Sequence, residues 1–282
     1  MTPIADALRD AAQTLAGASD TPRLDAELLM AECLGIDRSA LLLSRMRDEA
    51  PHSFAALLAR RQAHEPVAYI IGRQDFWTLT LKVTPAVLIP RSDSETLIEA
   101  AIDALADHPP QRILDLGTGS GALLLAALAQ WPAAQGIGID ASPDALDIAR
   151  TNATALGFDD RAHMLDGNWL KDGWHRGMPG PFDLILCNPP YVETDAALAE
   201  QVMQHEPHSA LFAGADGLDD YRIFIPALPH LLAGDGIAIL EIGASQRADV
   251  SALAAACGFE VTCRQDLAGH DRALMLRRNS VA

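Results

Sequence analysis

The feature that most constrains the fold is a regular alternation of short apolar runs and helical periodicity that begins at residue 112. The apolar runs predict strands at 112–116, 135–140, 161–165, 182–187, 236–242, 259–264 and 271–277. The segments between them predict helices at 121–131, 143–157, 218–233 and 245–257. Alternation of this kind predicts a doubly wound, mostly parallel sheet, Rossmann-like in plan. The short link at 265–270 predicts that the last two strands form an antiparallel hairpin.

The N-terminal part of the chain has a different pattern. Ala and Leu recur at helical spacing through the first 74 residues and predict a small all-α bundle of four or five short helices. Residues 75–90 mix aromatic and β-branched side chains with Thr and are broken by Pro85, which predicts a β-hairpin linker. We therefore predict a bundle at 1–74, a hairpin linker at 75–90 and an α/β domain at 91–282.

Residues 115–121, the glycine loop, connect the first predicted sheet strand to an apolar helix and read Asp-Leu-Gly-Thr-Gly-Ser-Gly. Glycines let the backbone approach a ligand closely. The second strand ends in Asp140, a position where a carboxylate suits a ribose diol. These features predict a nucleotide-like cofactor.

Two cofactors fit this pattern. NAD would favour the GxGxxG spacing, whereas the loop here has GxGxG. S-adenosylmethionine carries no phosphate, and Asp115 suits its ammonium or sulfonium group better than it suits a pyrophosphate. We favour S-adenosylmethionine, with Trp169 after the third strand lining an adenine pocket. The predicted cofactor-binding residues are Asp115, Gly117, Thr118, Gly119, Ser120, Gly121, Asp140, Trp169 and Asn188.

The NPPY motif, Asn188-Pro189-Pro190-Tyr191, follows the apolar run at 182–187. The two prolines end the strand because each locks φ and lacks an N–H. The Asn side chain and the rigid carbonyls are thereby held at the edge of the sheet where α/β folds bind ligands. The amide oxygen and a neighbouring carbonyl can accept the two N–H bonds of a planar amino group, and Tyr191 offers it a flat face. The alternative interpretation is that the tetrapeptide only ends a strand and has no role in binding or catalysis.

Charge and cysteine usage narrow the class of protein. The net charge is −17, and residues 91–282 hold 12 basic against 27 acidic side chains. Binding to long nucleic-acid duplexes depends on Lys and Arg, so this balance disfavours such substrates.

Residues 122–129 form the longest apolar stretch, too short for a membrane span. Four cysteines without CxxC spacing argue against a zinc site or disulfides and fit a reducing cytosol. We predict a cytoplasmic protein without metal or membrane contact.

The glycine loop, Asp140 and the NPPY motif together resemble class I methyltransferases that modify a planar amino or amide nitrogen. More closely, and over nearly its whole length, the chain resembles the protein-(glutamine-N5) methyltransferases of peptide-chain release factors. The NPPY motif is shared with DNA adenine methyltransferases, but Leu-Ile-Pro-Arg at 88–91, ahead of the glycine loop, is more specific. Further matching segments are 65–72 with Phe76, Glu95, Ser142-Pro143, Ala145 and Asp216-Gly217-Leu218.

The resemblance implies a seven-stranded methyltransferase domain that uses S-adenosylmethionine and acts on the glutamine of a Gly-Gly-Gln loop. It implies that Asn188, Pro189 and Tyr191 are catalytic and that Asn188, Pro189, Pro190, Tyr191 and Arg91 contact the substrate. It further implies that the N-terminal bundle recognises the release factor; we also expect a monomer.

The chain departs from the family pattern at two positions, where Ser92 replaces a proline and Asn168 replaces an aspartate. Two other functions stay open at this point. A DNA or RNA amino-methyltransferase, acting on adenine N6 or guanine N2, would use the same tetrapeptide but usually needs a basic surface. A non-catalytic binding protein with the same fold is the other.

Overall fold

The computed structural model describes residues 2–279, which form two compact units. The helical unit comprises the residues up to Arg73 together with the segment Leu198–Glu206. The α/β unit comprises Gln74–Ala197 and the chain from Pro207 onwards. Within residues 2–279, no helix is both long enough and apolar enough to cross a membrane.

The helical unit confirms the prediction of an N-terminal helical bundle. Its helices are α1 (Ile4–Thr14), α2 (Pro22–Leu34), α3 (Arg38–Ala40), α4 (Phe54–Gln62), α5 (Val67–Ile71) and α9 (Glu200–His205). Helix α3 runs into a π-helical turn at Leu41–Arg45. Pro22 occupies the first turn of α2, where its missing N–H costs nothing, and Gly35 ends that helix in the left-handed conformation. The unit has its own core, to which Leu8, Leu29 and Leu41 belong.

The α/β unit contains a hairpin and a seven-stranded sheet. Its strands are β1 (Arg73–Phe76, which starts at the unit boundary), β2 (Leu79–Lys82), β3 (Arg112–Leu116), β4 (Gln135–Asp140), β5 (Ala162–Asp166), β6 (Phe182–Cys187), β7 (Leu232–Glu241), β8 (Phe259–Gln265) and β9 (Asp271–Arg278). Its helices are α6 (Glu95–Ala104), α7 (Ala122–Gln130), α8 (Pro143–Ala155), α10 (Asp219–Phe224), α11 (Leu228–Leu231) and α12 (Arg247–Ala256).

The strand order of the large sheet is β5-β4-β3-β6-β7-β9-β8. Strands β3 to β7 are parallel, and β9 is antiparallel to both of its neighbours. This confirms the predicted seven-stranded, doubly wound fold and the terminal hairpin. The chain winds outward in both directions from the β3–β6 pair, which makes this pair the topological switch point where α/β sheets bind ligands.

The apolar runs of the parallel strands bury both faces of the sheet. In β6, Leu184 and Leu186 belong to the core under α6 and α7. The intervening residues Ile185 and Cys187 belong to the opposite core, under α10 and α12. Because successive side chains point to opposite faces, a continuous apolar run is what a strand covered on both sides requires.

Three sequence predictions were wrong in extent. The helix predicted at 218–233 is instead α10, a 3-10 turn at Ile225–Ala227 and the short helix α11. Pro226 and Pro229 cannot donate to the preceding turn, so a single long helix does not form. Leu232 then pairs with Phe182 and starts β7 four residues before the predicted position. The predicted hairpin at 75–90 occupies only β1 and β2, and residues 83–91 are irregular.

A buried amide ties the hairpin to the glycine loop. The Asn152 Oδ1 atom accepts from the Lys82 N–H at 2.7 Å, and its Nδ2 donates to the Lys82 carbonyl at 3.0 Å. The same Nδ2 donates to the Ser120 carbonyl at 2.8 Å. Asn152 on α8 therefore fixes the strand that leads into residues 83–91 against the loop that follows β3.

Replacing this amide should destabilise the α/β unit. In Asn152→Ala the backbone groups of Lys82 and Ser120 lose their partners, and we expect a loss of about 1–3 kcal/mol in unfolding free energy. Thr151→Ala is the matched control, since Thr151 is exposed on the same helix; we expect its effect to stay within about 0.5 kcal/mol. Urea denaturation measures the unfolding free energy of both variants. Equal stability of the two would contradict the stabilising role of the Asn152 hydrogen bonds.

Candidate active site

A cavity of about 550 Å³ opens at the carboxyl ends of β3, β4 and β6. The register pairs Leu116 with Cys187, so the glycine loop and the NPPY motif start side by side. The cavity is lined by nine of the thirteen predicted cofactor-binding, catalytic and substrate-binding residues, namely Asp115, Gly117, Thr118, Gly119, Ser120, Asp140, Trp169, Asn188 and Pro190. Topology thus brings most of the predicted site to one place.

The glycine loop turns tightly under this cavity. Gly117 and Gly119 have φ values of +72° and +55°, a region that other residues rarely adopt. A Cβ added to Gly117 would lie 2.9 Å from the Trp169 ring. The Gly117 and Thr118 N–H groups donate to the Ile139 carbonyl at 2.9 and 2.8 Å, which holds the loop against β4. The loop therefore presents bare backbone to the cavity, with an indole packed on one side.

Asp115 supplies a buried acidic group at the floor of the cavity. Its side chain is 1% exposed, and Oδ2 accepts from the Thr118 hydroxyl at 2.6 Å. Among residues 2–279, its Oδ1 has no hydrogen-bond partner. Burial, helped by the charge of Asp140, raises the pKa of Asp115 to about 7, against the hydrogen bond from Thr118. A cationic group bound in the cavity would give Oδ1 a partner and favour the ionised carboxylate.

Asp140 and Trp169 form the far wall. The two oxygens of Asp140 accept from the Gly119 N–H and the Ser142 N–H, both at 2.9 Å, which fixes the carboxylate at the end of β4. The Trp169 Nε1 donates to Asp220 at 2.5 Å, and its ring packs 6.0 Å from Phe224. Trp169 therefore both lines the cavity and extends the core beneath it.

Asn188 and Pro190 of the NPPY motif line the opposite wall. Asn188 Nδ2 donates to the Ser94 hydroxyl at 3.2 Å. The Tyr191 hydroxyl donates to Glu241 at 3.1 Å, and the Tyr191 carbonyl accepts from Gln246 at 3.0 Å. Burial raises the pKa of the Tyr191 phenol, so this side chain stays neutral and keeps its proton for Glu241.

Four predicted site residues do not line the cavity. Gly121, the last residue of the glycine loop, precedes α7 at φ +85° and is absent from the cavity wall. Pro189, Tyr191 and Arg91 are also absent from the cavity wall. Pro189 is buried, whereas Tyr191 and Arg91 are half-buried.

Several residues of the site were missed by sequence reasoning. Ser94 and Asp220 line the cavity, and Glu241 binds the motif from below. Glu241 could have been found, since it ends an apolar strand whose neighbour carries the motif. The sequence offered no comparable signal for Ser94, which meets Glu241 across 147 residues. The segment after the hairpin contributes Val87, Leu88 and Pro90 to the wall, whereas the sequence predicts a linker there and identifies 88–91 only by family resemblance.

The wall suits S-adenosylmethionine better than a phosphate cofactor. The glycine loop leaves room for a ligand, the orphan oxygen of Asp115 needs a donor or cation, and acidic Asp140 and Asp220 line the same space. Pyrophosphate would place negative charge against these acids. Within residues 2–279 no group of three or more His, Cys, Asp or Glu side chains could hold a metal ion.

Two family models match the chain. One, described as the PrmC N-terminal domain, matches residues 6–72, and one described as a methyltransferase domain matches residues 107–216. The protein is a methyltransferase, and its cofactor is S-adenosylmethionine. The alternatives of a NAD enzyme and of a non-catalytic binding protein are thereby set aside.

Solved structures with a similar fold are methyltransferases. The hMettl16 catalytic domain superposes with a TM-score of 0.58 at 15% identity, covering 80% of this chain and 83% of that one. A ribosomal protein L11 methylase from Lactobacillus delbrueckii subsp. bulgaricus gives a TM-score of 0.50 at 22% identity, covering 71% and 85%. At these identities the likeness establishes the fold alone.

Similarity in sequence goes further. A release factor glutamine methyltransferase from Rhodospirillum rubrum is 43% identical over 269 residues, covering 93% of this chain and 80% of that protein. One from Cereibacter sphaeroides is also 43% identical, over 280 residues that cover 97% and 98%. Identity at this level over both units, with the NPPY motif and the glycine loop meeting in one cavity, means that the chain belongs to the release factor glutamine methyltransferase family.

Proposed function

We propose that the protein transfers a methyl group from S-adenosylmethionine to the side-chain amide nitrogen of the glutamine in the Gly-Gly-Gln motif of peptide-chain release factors. The observation that carries this proposal is the adjacency of the NPPY motif and the glycine loop at the β3–β6 switch point. The names of the relatives support the choice of acceptor.

The acceptor nitrogen needs help because its lone pair is delocalised into the carbonyl. In our proposal, Asn188 Oδ1 and the Pro189 carbonyl accept its two N–H bonds and turn the nitrogen toward the cofactor cavity. Pro190 makes the peptide at this point rigid, and Tyr191 packs against the planar amide. Fixed acceptors that face developing positive charge are typically worth a few kcal/mol in the transition state, and correct orientation adds to this.

When bound, S-adenosylmethionine supplies an electrophilic methyl group on a positively charged sulfur. Asn188 and the Pro189 carbonyl would hold the acceptor nitrogen toward that methyl group; the sulfur would leave as a neutral thioether, and the methylated nitrogen would release one proton to solvent. That proton becomes acidic only once nitrogen carries the new bond, so no strong general base is required beforehand. Arg91 ends the Leu-Ile-Pro-Arg segment, and its charge acts on the Tyr191 phenol; we assign it to substrate binding.

The cofactor contacts are assigned by chemistry. Asp115 faces the ammonium or sulfonium group, Asp140 accepts from the ribose hydroxyls, and Trp169 lines the adenine pocket. Asn168 Oδ1 already accepts from the Leu170 N–H at 2.8 Å, so its amide is held beside Trp169 rather than free to turn. Asn168 therefore still provides an oxygen acceptor at the position where the family has aspartate.

We assign recognition of the release factor to the helical unit and place the reaction in the cytoplasm, where translation termination occurs. The four cysteines are all free, as a reducing compartment requires. The helical unit matches a family domain of its own, and its Leu43 side chain is 87% exposed. The adjoining Leu42 is also exposed, at 36%, and neighbouring apolar side chains in solvent are candidate contacts for a protein partner.

Asn188→Ala tests the acceptor clamp. We expect methyl transfer to a purified release factor to fall by at least about 100-fold, the usual cost of removing one preorganised group. Cofactor affinity, measured by calorimetry, should stay within a few-fold, because the glycine loop and Asp140 are intact. Radiolabelled transfer is measured with release factor, duplex DNA and RNA offered in parallel. Full activity of the variant, or label entering nucleic acid instead, would contradict the proposal.

Asp115 should make cofactor binding depend on pH. Its pKa of about 7 in the free protein means that the carboxyl is largely protonated below pH 7. If the bound cation requires the ionised form, binding releases a proton, so affinity rises with pH up to about 7 and then levels off. Between pH 6 and 7.5 we expect a several-fold gain for the native protein and none for Asp115→Asn. The same slope in both proteins would refute this role for Asp115.

Leu43→Asp tests the assignment of the helical unit. We expect KM for the release factor to rise by about fivefold or more, as the loss of one contributing interface side chain implies, with cofactor affinity unchanged. Leu267→Asp makes the same substitution at a fully exposed site in the α/β unit and serves as the control. Equal KM values for the two variants would remove Leu43 from the recognition surface.

A further inference from the structure

Beneath the NPPY motif lies a buried carboxylate, Glu241, that does not line the cavity and that accepts one hydrogen bond from the motif and one from Ser94. Glu241 ends β7, which pairs with β6 so that Leu240 is opposite Cys187. Its side chain is 1% exposed. Oε2 accepts from the Ser94 hydroxyl, and Oε1 accepts from the Tyr191 hydroxyl at 3.1 Å.

The Ser94 hydroxyl connects this carboxylate to Asn188. A hydroxyl has one proton to donate, and an ionised carboxylate can only accept. Because the Ser94 hydroxyl donates its hydrogen bond to Glu241, it can only accept from Asn188. The Asn188 Nδ2 donates to it at 3.2 Å. The NH2 end of the amide is therefore fixed toward Ser94, and Oδ1 is turned to the other side. An asparagine without such a partner could present either end to an acceptor amide.

The second oxygen of Glu241 fixes Tyr191. The Tyr191 hydroxyl and carbonyl are bound at opposite ends of the residue, by Glu241 and by Gln246. The Glu241 backbone is itself held, since its carbonyl accepts from the Tyr221 hydroxyl at 2.6 Å. One carboxylate on a rigid strand thus determines the direction of both the amide and the aromatic ring of the motif.

The pKa of Glu241 is raised above its ordinary value, mainly by burial and also by the charge of Asp93. The two hydroxyl donors and the nearby Arg272 guanidinium act in the opposite direction and favour the ionised form. Arg272 is itself paired with Asp266, at 3.1 Å. A buried carboxylate is costly to keep, and an apolar side chain would fill the same space at lower cost.

Resting on the proposed function, we propose that Glu241 and Ser94 are positioning residues of the acceptor site. Glu241 accepts a hydrogen bond from the Ser94 hydroxyl, and the Ser94 oxygen accepts one from Asn188 Nδ2. Asn188 Oδ1 therefore remains available to accept from the glutamine amide. Tyr191 is aligned by the other oxygen of the same carboxylate.

The proposal is tested with Glu241→Gln, Ser94→Ala and Ser94→Thr. Glutamine keeps the shape of Glu241 but has one acceptor oxygen, so it cannot accept from both hydroxyls. Alanine removes the link to Asn188, and threonine restores a hydroxyl. We expect kcat for release-factor methylation to fall about 10–100-fold in the first two variants, the range seen when outer partners of functional groups are removed. Ser94→Thr should recover most of the loss.

Two further readouts separate positioning from general damage. Cofactor affinity of each variant should stay within about threefold of the native value, and Ser92→Ala, at an exposed position of the same turn, should match the native enzyme. In ¹⁵N-labelled protein, the Asn188 side-chain NH2 signal, assigned by its loss in Asn188→Ala, should lose protection from hydrogen exchange in Ser94→Ala and regain it in Ser94→Thr.

The outcomes distinguish this proposal from the proposed function. If the native enzyme does not methylate the release factor, the proposed function fails, and the exchange measurement alone decides the role of Ser94. If the native enzyme is active, native kcat in Ser94→Ala and Glu241→Gln overturns the positioning role. A kcat loss accompanied by an equal loss of cofactor affinity, or one that Ser94→Thr does not relieve, also overturns it.

Discussion

The parallel pairing of β3 with β6 is the constraint on which the site depends. The register that sets Leu116 beside Cys187 makes two loops emerge together from one edge of the sheet. One carries the glycines that leave room for a ligand, and the other carries the NPPY motif. Both strands are buried on both faces, so a slip in register would expose apolar side chains and separate the two loops at once. Core packing and site geometry are therefore fixed by the same contacts.

A set of buried and half-buried acids lies under this edge. Asp115, Asp220 and Glu241 all approach Cys187, whose thiol pKa is raised mainly by burial and also by their charges. Burial raises the pKa of each of these three carboxyls as well. The acids divide into two roles. Asp115 and Asp220 line the cavity and suit a cationic cofactor, whereas Glu241 is turned away from it and holds the motif. The excess of acidic residues in the second half of the chain thus includes side chains that lie at the site.

Much of this arrangement could be predicted from the sequence. Continuous apolar runs identified the strands of the parallel sheet, because such runs are what two covered faces demand. The glycine spacing and Asp140 identified the cofactor side, and the two prolines identified the acceptor side. Prediction failed where tertiary contacts decide. Pro226 and Pro229 interrupt a stretch whose composition is otherwise helical, and residues 83–91 have no regular structure, yet the segment lines the cavity. The role of Ser94 could not be predicted from the sequence, because it arises only when β7 and the turn before α6 meet.

The acceptor is the central claim, and the most direct measurement is the position of the transferred methyl group. The purified protein is incubated with S-adenosylmethionine and a full-length, unmodified release factor, and the product is digested and sequenced by tandem mass spectrometry. The account predicts a single added methyl group on the side chain of the Gly-Gly-Gln glutamine, absent when that glutamine is replaced by alanine. A methyl group on another residue, or an unmodified release factor with methylated nucleic acid in a parallel incubation, would contradict it.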